Sequence, residues 1–135
     1  MRNKICDIHA HIVPAIDDGA VDLNMAIEML RSAYQQDVRS IVCTSHSYSD
    51  MERYMKNFET LRAWAKKENI NINLYSGCEV YISSCTIKDI IVHLNKKILP
   101  TINETKYVLV EFSPSASANE IISCILELHR CGYKT

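Results

Sequence analysis

Ile5-Cys6-Asp7-Ile8-His9-Ala10-His11-Ile12-Val13-Pro14-Ala15-Ile16-Asp17-Asp18-Gly19 sets the pattern for the whole chain. The apolar run from Ile5 to Ile8 is rich in β-branched residues and too short for a helix, so it reads as a short buried strand. It stops at His9-Ala10-His11, where two histidines two residues apart at a strand end can turn their imidazoles into one pocket. Asp17 and Asp18 follow on a loop that Gly19 closes. Asp-Asp-Gly is also ordinary turn chemistry, but a turn gives no reason for two histidines beside a buried strand. Imidazole and carboxylate donors packed this densely favour a first-row divalent metal such as Mn, Fe or Zn, whereas thiolates would select softer ions.

At 135 residues the chain is one domain over 1–135, long enough to bury a core but short for a closed α/β barrel. Fifteen basic residues against 16 acidic ones leave a formal net charge of −1, which points to neither a nucleic-acid nor an anionic-membrane partner. Met1-Arg2-Asn3-Lys4 leads into a run broken by Asp7 and His9, so no signal-peptide core is expected. No apolar stretch approaches the roughly 20 residues that span a bilayer. The six cysteines (6, 43, 78, 85, 124 and 131) form no CxxC pair, and four fall in apolar strand or helix patterns. Buried free thiols in a cytoplasmic protein are the economical reading.

Strand and helix alternate along the rest of the chain. Asp22 caps a helix with Leu23, Ala26, Ile27, Leu30, Ala33 and Tyr34 on one face. A second strand, Ser40 to Thr44, precedes Ser45-His46-Ser47, and Ser49-Asp50-Met51-Glu52 is a capping box for the next helix. That helix carries Met51, Tyr54, Met55, Phe58, Leu61 and Ala65 at helical spacing. The third strand runs from Ile72 to Cys78 and ends in Gly77-Cys78-Glu79, followed by a helix with Ile87, Ile90, Ile91 and Leu94 on one side. Tyr107 to Phe112 is the fourth strand, and Ser117-Ala118-Asn119-Glu120 caps a helix presenting Ile121, Ile122, Ile125 and Leu128. Cys131-Gly132 stops it, and Tyr133-Lys134-Thr135 reads as the start of a further strand.

Repeated βα units with continuous apolar strands imply a parallel sheet covered by helices. His9, His46, Glu79 and Glu111 each lie at or within two residues of the C-terminal end of successive strands, recurring once per repeat. In parallel α/β folds that edge is where sites assemble, so four donors converge on one end of the sheet. Glu111 lies inside Val-Leu-Val-Glu-Phe, where a buried carboxylate without a partner costs several kcal/mol; a metal or a basic side chain must stand beside it. Glu79 is equally compatible with a solvated loop, and His46 between two serines with an ordinary loop histidine. His93 and His129 fall within helices and read as structural, His129 complementing a helix C-terminus.

Cys124 and Arg130 match the cysteine-x5-arginine spacing of thiol phosphatases. That motif works as a tight loop of backbone N–H groups cradling phosphate. Here the interval is bulky, glycine-free and mid-helix, so the match is accidental.

The residues resemble a known family. Asp7 to Ala20 is similar to the opening motif of PHP (polymerase and histidinol phosphatase) proteins, and more narrowly to the CpsB/CapC/YwqE-type manganese-dependent tyrosine phosphatases of bacterial capsule and exopolysaccharide loci. Thr44-Ser45-His46 resembles that group's Thr-Pro-His, with Ser45 in place of proline and Ser47 in place of a frequent second histidine. Gly77-Cys78-Glu79-Val80 resembles its Gly-x-Glu, and Tyr107 to Phe112 its strand-four glutamate segment.

By that resemblance His9, His11, Asp18, His46, Glu79 and Glu111 are metal ligands in a centre of two or three ions, with Asp18 and His46 serving catalysis as well. Manganese is the ion implied, with iron or zinc as alternatives. The implied fold is a distorted barrel of about seven βα units, of which this chain holds roughly four. It is therefore expected to be the N-terminal half, C-terminally truncated, with the later ligands beyond Thr135. The implied reaction is metal-assisted hydrolysis of a phosphomonoester, in-line and without phosphocysteine. The implied partner is a phosphotyrosine cluster on a capsule-regulating tyrosine kinase. The alternatives are a phosphatase for a small metabolite such as histidinol phosphate, and a catalytically incomplete fragment. An unpaired edge strand and uncovered apolar surface also imply self-association.

Overall fold

The computed structural model describes residues 4–47 and 50–135. In chain order the elements are β1 (Ile5–Ala10), α1 (Leu23–Gln35), β2 (Val38–Cys43), α2 (Met51–Lys67), β3 (Asn73–Ser76), β4 (Glu79–Tyr81), α3 (Ile87–Asn95), a 3₁₀ turn (Ile102–Glu104), β5 (Leu109–Glu111) and α4 (Ala118–Arg130). β1, β2 and β3 form one parallel sheet in that order; β4 and β5 pair in parallel as a second. The α/β architecture of parallel strands joined through helices is the one expected.

Helix starts follow the sequence closely. Asp22 accepts from the Met25 N–H (2.8 Å) and Ser117 from the Glu120 N–H (3.2 Å), each satisfying a donor the first helical turn leaves unpaired. At α2 the cap is Asp50, accepting from the Arg53 N–H; Ser49, the cap expected there, lies outside the described residues. Glu120 spends its carboxylate on the Ser84 N–H (2.9 Å), tying the β4–α3 loop to α4, and that bond holds its carboxyl below the ordinary range.

Helix ends are less conventional. All four stop at a residue with positive φ: Asp37 (66°), Asn69 (56°), Lys97 (56°) and Gly132 (87°). At α2, α3 and α4 the two closing bonds of a Schellman motif are present, such as Lys97 N–H to Leu94 O and Ile98 N–H to His93 O. The residue type announces the stop at Gly132 and, more weakly, at Asn69, which is how a chain with three glycines closes four helices.

Two expectations are corrected. β1 is not a buried strand: Ile5 and Ile8 are 49% and 54% exposed. An apolar strand is buried only if both faces and edges are covered, and β1 is the outer strand of its sheet. The strand expected from Ile72 to Cys78 is broken. β3 stops at Ser76, and after Gly77-Cys78 the chain re-enters as β4, in the other sheet. A Cβ on Gly77 would sit 2.8 Å from Val42 Cγ1, so the crossing needs glycine.

The last residues behave as the start of a strand. Lys134 pairs in parallel with Tyr107 and its carbonyl accepts from the Val108 N–H (2.8 Å).

Two apolar cores result. One gathers residues of β1, β2, α1 and α2, including Leu30, Ile41, Tyr54 and Leu61; the other gathers β4, α3 and α4, including Val80, Ile82, Leu94 and Leu128. Met51, at the start of α2, packs against both. On α4 the buried side is Cys124 and Leu128, whereas Ile122, expected inward, is exposed. Cys124 lies buried within that helix, as the rejection of a thiol-phosphatase loop requires.

Candidate metal centre

The rim begins where β1 meets the end of β2. Ala10 donates its N–H to Thr44 Oγ1, and its carbonyl accepts from the Thr44 N–H, both at 2.9 Å. This splays β1 so that His9 and His11 stand together, their Nε2 atoms 3.3 Å apart. Beyond Thr44 the chain runs into a parallel bridge between His46 and Glu79, with Glu79 N–H donating to Ser45 O (3.0 Å) and Ser47 N–H to Glu79 O (2.8 Å). That bridge stitches the second sheet to the first at the rim.

The loop after His11 folds back onto it. Ala20 N–H donates to His11 O (3.1 Å), and a Cβ on Gly19 would lie 1.9 Å from that oxygen. Gly19 is therefore required for close approach, beyond merely closing a turn. Asn57 on α2 anchors the loop by donating to Pro14 O (2.8 Å).

Asp17 is delivered into the interior by this loop, its side chain 1% exposed. It accepts from the N–H groups of Gly19 (3.1 Å) and His46 (3.0 Å) and lies 3.0 Å from His11 Nδ1. Burial by itself would raise its carboxyl, but those two N–H groups and the His11 imidazole outweigh it and hold the value below the ordinary one. With Nδ1 directed at Asp17, His11 turns Nε2 toward Glu79 and His9, free to hold a cation there.

Glu79 is buried at the middle of the cluster. Its Oε1 lies 3.1 Å from His9 Nε2; its Oε2 lies 3.0 Å from His11 Nε2 and 3.3 Å from His46 Nδ1. Asp18 stands at the mouth, 80% exposed, with Oδ1 3.4 Å from His46 Nε2 and 3.6 Å from His11 Nδ1. Glu111, half-buried at the end of β5, joins His46 and Glu79 from the second sheet.

The donors fall into three overlapping groups, His9–His11–Glu79, His11–Asp18–His46 and His46–Glu79–Glu111, with ligand atoms within 4.8 Å of one another in each. Every group shares a member with another, the arrangement a cluster of ions needs. Among the described residues no lysine or arginine pairs with Asp17, Asp18, Glu79 or Glu111. Four carboxylates and three imidazoles without a basic side chain fit divalent cations that prefer nitrogen and oxygen.

All six residues singled out in the sequence are thus brought to one place. Glu79 arrives there as the first residue of β4, not as the tail of a third strand. Glu111 is half-buried rather than engulfed, and its neighbours are His46 and Glu79. His93 and His129 sit exposed on α3 and α4, outside the three groups. The residue missed is Asp17. Its only signal was adjacency to Asp18 and Gly19, since nothing in composition says which of two neighbouring aspartates turns inward.

Over residues 5–135 the chain matches the family model of capsular polysaccharide synthesis, CpsB/CapC. It is 36% identical over 120 residues to the tyrosine-protein phosphatase CpsB of Streptococcus agalactiae, covering 85% of this chain and 48% of that protein. Against the tyrosine-protein phosphatase YwqE of Bacillus subtilis (strain 168) it is 36% identical over 111 residues, covering 78% and 42%. It also superposes, with a TM-score of 0.83 and 32% identity, on a chain from the crystal structures of YwqE from Bacillus subtilis and CpsB from Streptococcus pneumoniae, unique metal-dependent tyrosine phosphatases. That match covers 96% of this chain and 53% of the other. The chain spans about half the length of the relatives it matches. It belongs to the CpsB/CapC family of capsular polysaccharide synthesis.

Proposed function

We propose that this chain carries the amino-terminal part of a metal-dependent protein-tyrosine phosphatase that acts in the regulation of capsule or exopolysaccharide synthesis. The observation that carries the reading is the trio of overlapping donor groups on one rim, with Asp17 buried behind them. His9, His11, Asp18, His46, Glu79 and Glu111 hold the ions, which are manganese. Bound there, such ions supply positive charge to the phosphoryl oxygens and lower the pKa of an attacking water. Asp17 orients His11 and, through the His46 N–H, the loop that bears His46. His46 Nε2 and Asp18 Oδ1 lie 3.4 Å apart at the open side, where an ester arrives from solvent; this pair would take the proton released by the attacking water and return it to the departing ester oxygen. The proposed substrate is phosphotyrosine on a capsule-regulating tyrosine kinase, met in the cytoplasm. Among the described residues no helix is long and apolar enough to cross a membrane.

The test is hydrolysis of a phosphotyrosine peptide by this chain with added manganese. Turnover that His9→Ala abolishes supports the reading. Faster turnover of histidinol phosphate would instead make it a small-metabolite phosphatase. If neither is hydrolysed and the purified protein retains no metal, the chain is a catalytically incomplete fragment.

A further inference from the structure

We infer that Tyr81 receives the aromatic ring of an aryl phosphate ester at this centre; the inference rests on the phosphoester reading above and names the feature that would select an aromatic substrate. Side chains two apart on a strand share a face. In β4, Val80 is wholly buried in the second core, so Glu79 and Tyr81 both occupy the opposite face. Glu79 reaches His9, His11 and His46 from that face. Tyr81 lies one pleat farther toward the strand's C-terminal end, roughly 7 Å along. Its register partner in β5 is Glu111, which belongs to the same donor cluster. Position 81 is therefore adjacent to the centre in two directions, along its own strand and across to the next.

Tyr81 is 40% exposed and belongs to neither core, whereas Tyr54 is fully buried. Its backbone is nevertheless fixed. The Tyr81 N–H donates to Ser47 Oγ (3.3 Å), one residue from His46, and the next N–H, of Ile82, donates to Glu111 O (2.9 Å). A partly exposed ring on a held backbone beside the donor cluster offers an edge or face to another ring and little to an alkyl group. Tyr81 is on this account a specificity residue and takes no part in bond breaking.

The experiment compares phenylphosphonate with methylphosphonate, which cannot be hydrolysed, by calorimetric titration of the manganese-loaded protein. The unsubstituted protein is expected to bind the phenyl compound more tightly. Tyr81→Ala should weaken that binding roughly 3- to 10-fold while leaving methylphosphonate unchanged, and Tyr81→Phe should retain the preference. If Tyr81→Ala alters both compounds equally or neither, the assignment of Tyr81 is wrong and the phosphoester reading stands. If the unsubstituted protein binds neither compound, the phosphoester reading fails and takes this inference with it.

Discussion

Asp17 and Asp18 are adjacent and chemically identical, yet one is sealed behind the donor cluster and the other stands in solvent. The difference comes from the Gly19 turn, which leaves no room for a Cβ against His11. Asp17 is a positioning residue: it holds the His11 ring and the backbone N–H groups of Gly19 and His46. Asp17→Asn keeps the shape but replaces one oxygen with a donor facing other donors, so metal affinity should fall about 10- to 100-fold. A manganese titration followed by the signal of free ion measures this; an unchanged affinity would remove Asp17 from the centre. The cysteines show the same contrast at residue scale. Cys43, Cys78 and Cys124 are buried, while Cys6, Cys85 and Cys131 are exposed. Burial pushes the thiols of Cys43 and Cys78 up to about 12 from 9.0. A thiol raised on folding stabilises the fold fully below pH 9, and that contribution drains away as the pH climbs from 9 toward 12 and the unfolded thiolates ionise. A thiol reagent at pH 8 should therefore modify the three exposed cysteines in the native protein and all six after denaturation.

At the scale of elements, the strands part company where β3 ends, and one side chain bridges the parting. The Tyr54 hydroxyl on α2 donates to Cys43 O (2.7 Å) at the end of β2 and accepts from the Gly77 N–H (3.1 Å) just past β3. Tyr54→Phe would leave both backbone groups buried and unpaired, costing about 1–3 kcal/mol in urea unfolding. A loss under half that would mean the two strand ends hold together without it. The sequence showed the helices well, because their 3.6-residue periodicity and their Asp and Ser caps are local. It also placed His9 and Glu111, which sit among the last residues of an apolar run that forms a strand, whereas Asp18 and His46 lie on the loops that follow. It misplaced the end of the third strand because Ile72 to Cys78 is uniformly strand-like and only Gly77 hints at a crossing. It called β1 buried because apolar composition records what a strand can bury, not which neighbours it has. The stop at Lys97 was invisible for a related reason, since a lysine side chain tolerates the left-handed conformation without advertising it, and Asp37 and Asn69 are only weak signals.

For the molecule as a whole, exposed apolar groups include pairs on its first strand and its last helix. Ile5 and Ile8 lie on β1; Ile122 and Leu126 lie on α4. Among the described residues the outer edge of β1 pairs with no strand. Open parallel edges beside exposed isoleucines recruit further chain, so this chain is expected to self-associate at micromolar concentration in light scattering, and a monodisperse monomer would contradict that.

Met51 packs against both cores, and the candidate centre draws His9, His11 and Asp18 from the side of the first and Glu79 and Glu111 from the side of the second. The ligand set is thus divided between two bodies, like a clasp whose halves are sewn to separate panels. A disturbance that lets the panels drift slightly, whether mild warming or a dilute denaturant, would open the clasp while each panel keeps its own weave intact. Loss of ion affinity should for that reason run ahead of any change in helical content.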